Sequence, residues 1–205
     1  ALANAIPSSD RHSFKIAGCL PPLHGSYQGA PKRTHKSLCD EYREIVAIHP
    51  SVDLWMIETM TNPLETAAAL EIALETEKPV LLSYRLEVDG NLKSGHSLSD
   101  MLALLDHSNL CGVLINCCEP EVISRFIDQL KIFNVPFGAY GNAFQSVKAM
   151  ADGGSVAQLK ARQDLSPSRY ADYVDQWINV GATIVGGCCE ITPGHIAEIA
   201  RRIAD

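Results

Sequence analysis

The chain has 205 residues, 46% of them hydrophobic and 20% charged, and is long enough to bury a substantial core. Its 17 basic and 24 acidic residues give a formal charge of -7, and no basic stretch is present that would bind a nucleic-acid backbone. No apolar run approaches the ~20 residues that span a bilayer, and residues 1–10 lack the basic start and apolar centre of a signal peptide. We therefore expect a cytoplasmic protein that binds neither nucleic acids nor membranes.

Cysteine is the most informative residue type in this composition. There are seven cysteines, an odd number, and four of them form the adjacent pairs Cys117-Cys118 and Cys188-Cys189. This pattern differs from the evenly paired framework of a small secreted protein. In a reducing compartment, such clusters indicate metal or redox chemistry.

Six short apolar runs predict six buried strands. The runs are continuous rather than alternating, as in parallel strands that are covered on both faces by helices. They are FKIAGC (14–19), DLWMIE (53–58), PVLLSY (79–84), GVLINC (112–117), PFGAYG (136–141) and ATIVGG (182–187).

Helical patterns with their own start signals separate most of these strands. Asn62 and Pro63 open one helix, and Ser97 followed by Asp100 opens another. The predicted helices are PLETAAALEIALE, SDMLALLDH, PEVISRFIDQLKIF, SRYADYVDQWINV and GHIAEIARRIA, and the segments 28–36 and 144–158 are predicted to be loops. This alternation indicates one α/β domain over 1–205, built either as an open doubly wound sheet or as a (β/α)₈ barrel.

Polar and metal-binding residue types collect at the carboxyl ends of the predicted strands. Ligands bind at this edge in parallel α/β folds, because the loops that carry functional groups converge there. The residues concerned are Glu58, Ser83, Cys117, Tyr140, Asn142, Cys188 and Cys189.

The GGCC segment at 186–189 is compatible with a metal site only under one condition. Neighbouring side chains on a strand point to opposite faces, so Cys188 and Cys189 can reach one ion only where the strand has ended and the backbone turns. We expect Gly186 and Gly187 to permit that turn and a close backbone approach. A vicinal disulfide and a pair of buried structural cysteines are the competing interpretations.

A third cysteine at another strand end favours the metal interpretation. Three thiolates with one open position is a catalytic rather than a structural zinc arrangement, because structural sites are usually closed by four protein ligands. An ion that carries three thiolates is a weak Lewis acid and a poor activator of water. It can still displace the proton of a substrate thiol whose pKa is about 8.5, which points to alkyl transfer to sulfur.

Several segments resemble the zinc-dependent homocysteine S-methyltransferase family. The segments are VGGCCEITPGHI, GVLINCCEPE, IETMTNPLET, AGCLPP, KPVLLSY and GAYGNAF. The resemblance implies a (β/α)₈ barrel in which Cys117, Cys188 and Cys189 bind Zn²⁺ and Glu58 holds the α-amino group of homocysteine. Cys118 occupies what is commonly a hydroxyl position in the motif and is left out of the metal shell. Further substrate contacts are expected from Ser83, Asn116, Tyr140 and Asn142.

One family feature is absent from this sequence. Family members are barrels of about 300 residues whose first strand ends in an Asp-Gly motif. Counting back from GGCC as strand eight makes FKIAGC strand three, so we expect the first two βα units to be missing from this chain. Residues 1–10 then become the end of the second helix.

The resemblance implies zinc-dependent methyl transfer from a sulfonium or ammonium donor to the thiol of homocysteine, which forms methionine. The alternative is a noncatalytic zinc-binding or thiol-redox protein derived from a truncated barrel. The sequence leaves open the donor and the oligomeric state, including a homo-oligomer. Five histidines are expected to lie on the surface, in loops or in a helix cap, because none belongs to a short-spaced pair: His24, His49, His96, His107 and His195.

Overall fold

Six parallel strands form a single sheet in this chain. The computed structural model describes residues 14–23, 25, 27, 29, 32–103, 110–147, 154 and 156–204. The strands are β1 (Ala17–Leu20), β2 (Leu54–Met60), β3 (Val80–Tyr84), β4 (Leu110–Asn116), β5 (Phe137–Gly141) and β6 (Ile184–Gly187). All six predicted strands are confirmed.

The strand order decides between the two architectures that the sequence left open. Each strand pairs with the next one in the chain, in the order β1 to β6 without a reversal. A doubly wound sheet reverses its order at a switch point, whereas a (β/α)₈ barrel adds every strand on the same side. The fold is therefore a parallel α/β sheet with the arrangement of a partial barrel, and all six carboxyl ends lie along one edge.

Within the described residues, five α-helices connect the strands and a sixth follows β6. They are α1 (His35–Ile48), α2 (Pro63–Leu74), α3 (Leu98–Leu102), α4 (Pro120–Phe126), α5 (Pro167–Asn179) and α6 (Pro193–Ala204). Two predicted helix starts are confirmed in detail. The side chain of Asn62 accepts a hydrogen bond from the Glu65 backbone, and Ser97 and Asp100 form a reciprocal capping box.

The helix α1 was not predicted, and the expected loop at 28–36 runs into its first turn. Thr34 caps the helix by accepting a hydrogen bond from the backbone of Ser37. Its apolar residues recur at helical spacing: Leu38 and Tyr42 are buried, and Ile45 and Val46 pack against the core. The sequence therefore carried a periodic signal for this helix, which the prediction missed.

The predicted helix at 120–133 divides into two parts. After α4 ends at Phe126, the chain continues as a 3₁₀ helix (Ile127–Phe133), and Asn134 ends it with a left-handed φ of 53°. Residues 1–10, positions 148–153 and 155 of the predicted loop at 144–158, and the end of the predicted helix at 99–107 lie outside the described residues.

Both tryptophans belong to the core. Trp55 is 1% exposed and Trp177 is fully buried. Each indole also finds a hydrogen-bond acceptor: Trp55 donates to Thr76 and Trp177 donates to Ser124. Because Cβ at Gly18 would lie 2.3 Å from the Trp55 ring, packing against that ring requires glycine at this position.

An ion pair joins α4 to the segment that precedes α5, and it gives a pH-dependent prediction. Arg162 makes two hydrogen bonds of 2.8 Å to Glu121, whose pKa is lowered to about 2, first by Arg162 and also by Tyr173. A carboxyl whose folded-state pKa is lowered stabilises the protein above its unfolded pKa, and that stability is lost as the pH falls towards 2. The side chain of Glu121 is 42% exposed, so solvent screening limits the effect.

We expect Glu121→Gln to lower the free energy of unfolding by ~1 kcal/mol at pH 7 and by less at pH 3.5. Urea denaturation at the two pH values measures this difference. Glu44→Gln, on the exposed surface of α1, provides the control. An equal decrease in the free energy of unfolding at both pH values would show that the carboxylate charge of Glu121 does not cause the destabilisation.

Candidate metal and substrate site

Three cysteine sulfurs from two strand ends meet at the carboxyl edge of the sheet. The Sγ atoms of Cys117 and Cys189 are 3.9 Å apart, and those of Cys188 and Cys189 are 3.8 Å apart. All three sulfurs lie within 4.8 Å of one another. Thiolate-to-zinc bonds are about 2.3 Å long, so sulfurs at this spacing need only small movements to share one ion.

Cys117 lies directly after β4 in an unusual backbone conformation. Its φ is 52°, in the left-handed region that non-glycine residues seldom adopt. The backbone N–H of Cys117 donates to the carbonyl of Tyr140, and the Asn142 amide donates to the carbonyl of Cys117 over 2.8 Å. These contacts with β5 and the residues after it hold the cysteine where its side chain faces the other two. Strained conformations of this kind occur at functional sites.

Cys188 and Cys189 lie in a turn immediately after β6. The N–H of Ile191 donates to the carbonyl of Cys188, which closes the turn. The strand β6 has therefore ended before the two cysteines. This is the condition under which both side chains can point towards one ion. Both residues are free thiols, and the nearby Cys118 is also free.

The glycines do not shape this turn as the sequence predicted. Gly186 and Gly187 both belong to β6 and neither has a positive φ; the left-handed residue is Glu190, with a φ of 63°. Gly187 is nevertheless required for close packing, because Cβ there would lie 2.2 Å from Ile191. Cβ at Gly186 would meet only an ordinary contact at 3.6 Å.

The three thiols are electrostatically coupled. Hydrogen bonds from Cys188 and then Cys189 lower the pKa of Cys117. The same contacts raise the pKa of Cys188 and of Cys189, because a second thiolate would face the first one. A bound dication would offset this repulsion and favour ionisation of all three sulfurs, and three thiolate donors suit zinc.

The Glu58 carboxylate lies in a polar network on the same side of the sheet. It accepts hydrogen bonds from the Tyr140 hydroxyl over 3.0 Å and from the Cys19 thiol over 2.9 Å. Ser83 lies 2.6 Å from the Tyr140 hydroxyl. The Ser83 hydroxyl also lies 3.2 Å from the carbonyl of Ile57, to which it donates, so either hydroxyl can be the donor in its contact with Tyr140. Burial raises the pKa of Tyr140 well above its usual value and keeps this donor protonated.

Asn116 holds the backbone next to Glu58. Its side-chain oxygen accepts from the backbone N–H of Thr59 over 3.0 Å, and its side-chain nitrogen donates to the Thr59 hydroxyl over 2.8 Å. Thr59 has a left-handed φ of 60°, so this pair of bonds stabilises a strained residue. The structure thus places Asn116 where it positions Glu58 through the backbone.

Asn142 contacts the cysteine cluster. Its side-chain nitrogen lies 2.8 Å from the carbonyl of Cys117 and 3.9 Å from the Cys117 sulfur, and its oxygen accepts from the backbone of Phe144. The residue is 1% exposed. We interpret it as a support for the cysteine cluster.

Cys118 points away from the other three thiols. Its sulfur accepts a hydrogen bond from the backbone of Leu86 over 3.2 Å, and burial raises its pKa to about 12. A protonated thiol directed at another strand end is unsuited to binding the same ion. This placement agrees with leaving Cys118 out of the metal shell.

The remaining three cysteines differ in their exposure. Cys39 is buried, but Cys19 and Cys111 are exposed. In β1 and at the start of β4 the burial alternates, and both cysteines occupy exposed positions. Sequence reasoning missed the contact of Cys19 with Glu58, because the partner lies 39 residues away.

Tyr27 is a second residue at the site that sequence reasoning missed. Its hydroxyl lies 3.5 Å from the Cys117 sulfur, and the Arg85 guanidinium lies 4.8 Å from the centre of its ring. It is 8% exposed. A tyrosine in a loop gives no periodic signal that would have identified it.

The histidines contribute no ligand to the cysteine cluster in the described part of the chain. His49 and His96 are exposed, and His195 is buried at the start of α6, where it contacts Thr192 and the carbonyl of Leu165. His24 and His107 lie outside the described residues. Among the described residues, no helix is long and apolar enough to cross a bilayer.

Comparisons with known proteins identify one family for this chain. A family model described as homocysteine S-methyltransferase matches residues 2–203. Homocysteine S-methyltransferase 1 of Brassica oleracea var. italica is 32% identical over 167 residues, which are 76% of this chain and 48% of the relative. Selenocysteine methyltransferase of Astragalus bisulcatus is 29% identical over 182 residues, which are 85% of this chain and 52% of the relative.

A solved structure has the same fold. The homocysteine methyltransferase MmuM from Escherichia coli, in a metallated form, aligns with a TM-score of 0.77 and 23% identity. The alignment covers 98% of this chain and 65% of MmuM. The present chain spans about half the length of the curated relatives that it matches. Because the family model covers nearly the whole chain, the chain belongs to the homocysteine S-methyltransferase family.

Proposed function

We propose that this chain carries the zinc-binding and amino-group-binding part of an enzyme that methylates the thiol of homocysteine to form methionine. The observation that carries this proposal is the convergence of the Cys117, Cys188 and Cys189 sulfurs within 4.8 Å at one sheet edge. Relatives named for homocysteine and selenocysteine methylation support the acceptor class.

We propose Cys117, Cys188 and Cys189 as the zinc ligands. Their three thiolates leave one position for the substrate sulfur. When bound there, zinc would lower the pKa of the substrate thiol while leaving its sulfur nucleophilic. The solved structure of MmuM is a metallated form, which supports a metal site in this fold but does not identify the metal. Asn142 and Tyr27 steady the Cys117 sulfur from the protein side.

We assign the α-amino group of homocysteine to Glu58. Its carboxylate is half-buried and faces the side of the sheet where Tyr140 and Ser83 lie. An ammonium group pairs well with a carboxylate whose orientation is already fixed, because little ordering remains to be done on binding. Tyr140 and Cys19 fix that orientation by donating to different oxygens of the carboxylate.

The reaction needs no general acid on the donor. The homocysteine sulfur forms a bond to the methyl carbon while the bond from that carbon to the sulfonium or ammonium atom breaks. The electron pair returns to the donor atom, which leaves as a neutral thioether or amine, and the thiol proton is released beforehand. The residues of the site therefore contribute chiefly by positioning the two reactants.

The complete enzyme is proposed to be a (β/α)₈ barrel in which β1 to β6 are strands three to eight. The uniform strand order and the 65% coverage of MmuM support this count. The two remaining βα units would close the barrel and supply the rest of the substrate site.

The contact between Cys19 and Glu58 gives a testable prediction. Although part of the residue is exposed, desolvation of its thiol, and then the Glu58 carboxylate, raise the pKa of Cys19 to about 12, so the thiol stays protonated and donates at neutral pH. We expect Cys19→Ala to raise the KM for homocysteine about fivefold, because Cys19 acts on the substrate only through the orientation of Glu58 and a typical hydrogen bond contributes about 1 kcal/mol. Cys19→Ser should restore most of the affinity. An equal KM for the alanine variant and the unaltered enzyme would contradict the role.

The proposed function is tested by assaying the full-length gene product with homocysteine and selenocysteine against a panel of methyl donors. The panel contains S-methylmethionine, S-adenosylmethionine and betaine, and zinc is measured in the same preparation. We expect stoichiometric zinc together with homocysteine-dependent formation of methionine. Zinc without methyl transfer from any donor would overturn the proposal and support a noncatalytic zinc-binding protein instead.

A further inference from the structure

A second group of metal-binding side chains lies between α1 and α2, on a different part of the molecule. The group consists of His35 and Cys39 on α1 and Glu71 on α2. One ligand atom from each residue lies within 4.8 Å of the other two. None of the three residues takes part in the contacts that build the cysteine cluster.

The sequence of α1 places two of these side chains on one face. Residues four apart are neighbours on a helix, so His35 and Cys39 project in the same direction. A pair of ligands with this spacing on a helix is a recurrent zinc-binding arrangement. The packing of α1 against α2 then brings Glu71 opposite the pair.

The distances match what a tetrahedral ion requires. The Cys39 sulfur lies 3.9 Å from Nε2 of His35, and that nitrogen lies 3.6 Å from Oε2 of Glu71. Bonds of about 2.0–2.3 Å to a tetrahedral zinc place neighbouring ligand atoms roughly 3.3–3.7 Å apart. Shifts of a few tenths of an ångström would therefore complete three bonds.

Burial and charge also favour an ion at this place. Cys39 is 4% exposed, whereas the side chains of His35 and Glu71 are 41% and 51% exposed. The thiol therefore lies inside the protein, and the other two ligands face solvent. Thiolate and carboxylate charges neutralise a dication in full. The neighbouring cation Arg43 is paired with Glu75 and Asp40.

We infer that His35, Cys39 and Glu71 form a second metal site, which binds a borderline-soft dication such as Zn²⁺ and leaves one coordination position to water. Nitrogen, sulfur and oxygen ligands together suit zinc better than magnesium or calcium, which take oxygen ligands. The bound ion joins α1 to α2. Its role is structural or regulatory, because the group stands apart from the proposed methyl-transfer site.

The experiment isolates this site by removing the first one. The full-length gene product with Cys117→Ser, Cys188→Ser and Cys189→Ser is loaded with Zn²⁺, freed of excess metal and analysed for zinc. We expect about one zinc per chain, lost on further substitution by His35→Ala or Cys39→Ser. His49→Ala, at the end of α1, and Cys111→Ser, on an exposed position of β4, are the matched controls and should retain it.

A second measurement covers the case in which the triple variant fails to fold, which circular dichroism would show. The otherwise unaltered protein should then bind about two zinc ions, and the His35→Ala variant about one, with methyl transfer retained. With Co²⁺ in place of Zn²⁺, both sites should contribute thiolate absorption, and Cys39→Ser should remove the share of one thiolate while that of the cysteine cluster remains. Unchanged zinc content in both the His35→Ala and Cys39→Ser variants would overturn the inference and leave an ion pair between His35 and Glu71.

Discussion

Replacement of Cys117 by serine is expected to remove zinc from the full-length protein and to reduce methyl transfer to homocysteine on the order of 10³-fold. Loss of an outer partner of a metal ligand typically costs ~10- to 100-fold, and loss of a ligand itself costs more. A serine hydroxyl is a poor substitute, because it stays protonated at neutral pH and is a harder donor than a thiolate. Zinc content and the rate with a saturating donor measure the two effects.

The neighbouring residue provides a closely matched control. Cys118→Ser makes the same chemical change one position along the chain, but the Cys118 sulfur contacts Leu86 and not the cluster. A hydroxyl can keep those backbone hydrogen bonds, so zinc and activity should both be retained. Equal losses in the two variants would show that the segment is merely sensitive to substitution, and retained zinc in Cys117→Ser would contradict the ligand assignment.

The fold and the cysteine cluster were predictable because their signals are local. Continuous apolar runs identified all six strands, and Asn62 and Ser97 identified two helix starts. The cluster followed from position, since Cys117, Cys188 and Cys189 each come directly after a strand and parallel strands end at one edge. Adjacent cysteines on a strand would face opposite ways, and the turn after β6 removes that difficulty.

The parts that were not predicted depend on contacts between distant residues. Cys19 reaches Glu58 across 39 positions, and Tyr27 reaches Cys117 across 90, so neither contact leaves a periodic or spaced motif. The left-handed turn of Thr59 and its two bonds to Asn116 were likewise unpredictable, because a non-glycine residue with positive φ depends on support from its surroundings.

The substrate side of the site depends on how firmly Glu58 is held. Tyr140 and Cys19 each donate to one of its oxygens, and Asn116 anchors the next residue through Thr59. A carboxylate fixed from three directions presents its remaining lone pairs to a ligand with little loss of entropy. In the proposed role of Glu58, recognition of an ammonium group therefore depends on the charge of the carboxylate more than on its shape.

Glu58→Gln is therefore expected to raise the KM for homocysteine by roughly 10- to 100-fold while changing kcat much less. The substitution keeps the size of the side chain but removes the charge, and a hydrogen bond to a charged group contributes about 1.5–3 kcal/mol. Initial rates over a range of homocysteine concentrations, at a saturating donor concentration, separate the two constants. Zinc content should stay unchanged, because the carboxylate is not among the ligands.

The desamino analogue 4-mercaptobutanoate distinguishes a direct contact from a general disturbance of the site. This thiol lacks the ammonium group, so the unaltered enzyme should use it poorly and Glu58→Gln should leave its KM nearly unchanged. Glu44→Gln, on the exposed face of α1, controls for the loss of a carboxylate elsewhere and should match the unaltered enzyme with both thiols. If Glu58→Gln raised the KM for both thiols equally, the carboxylate would organise the pocket without contacting the amino group. Only a direct contact with the ammonium group distinguishes homocysteine from its desamino analogue.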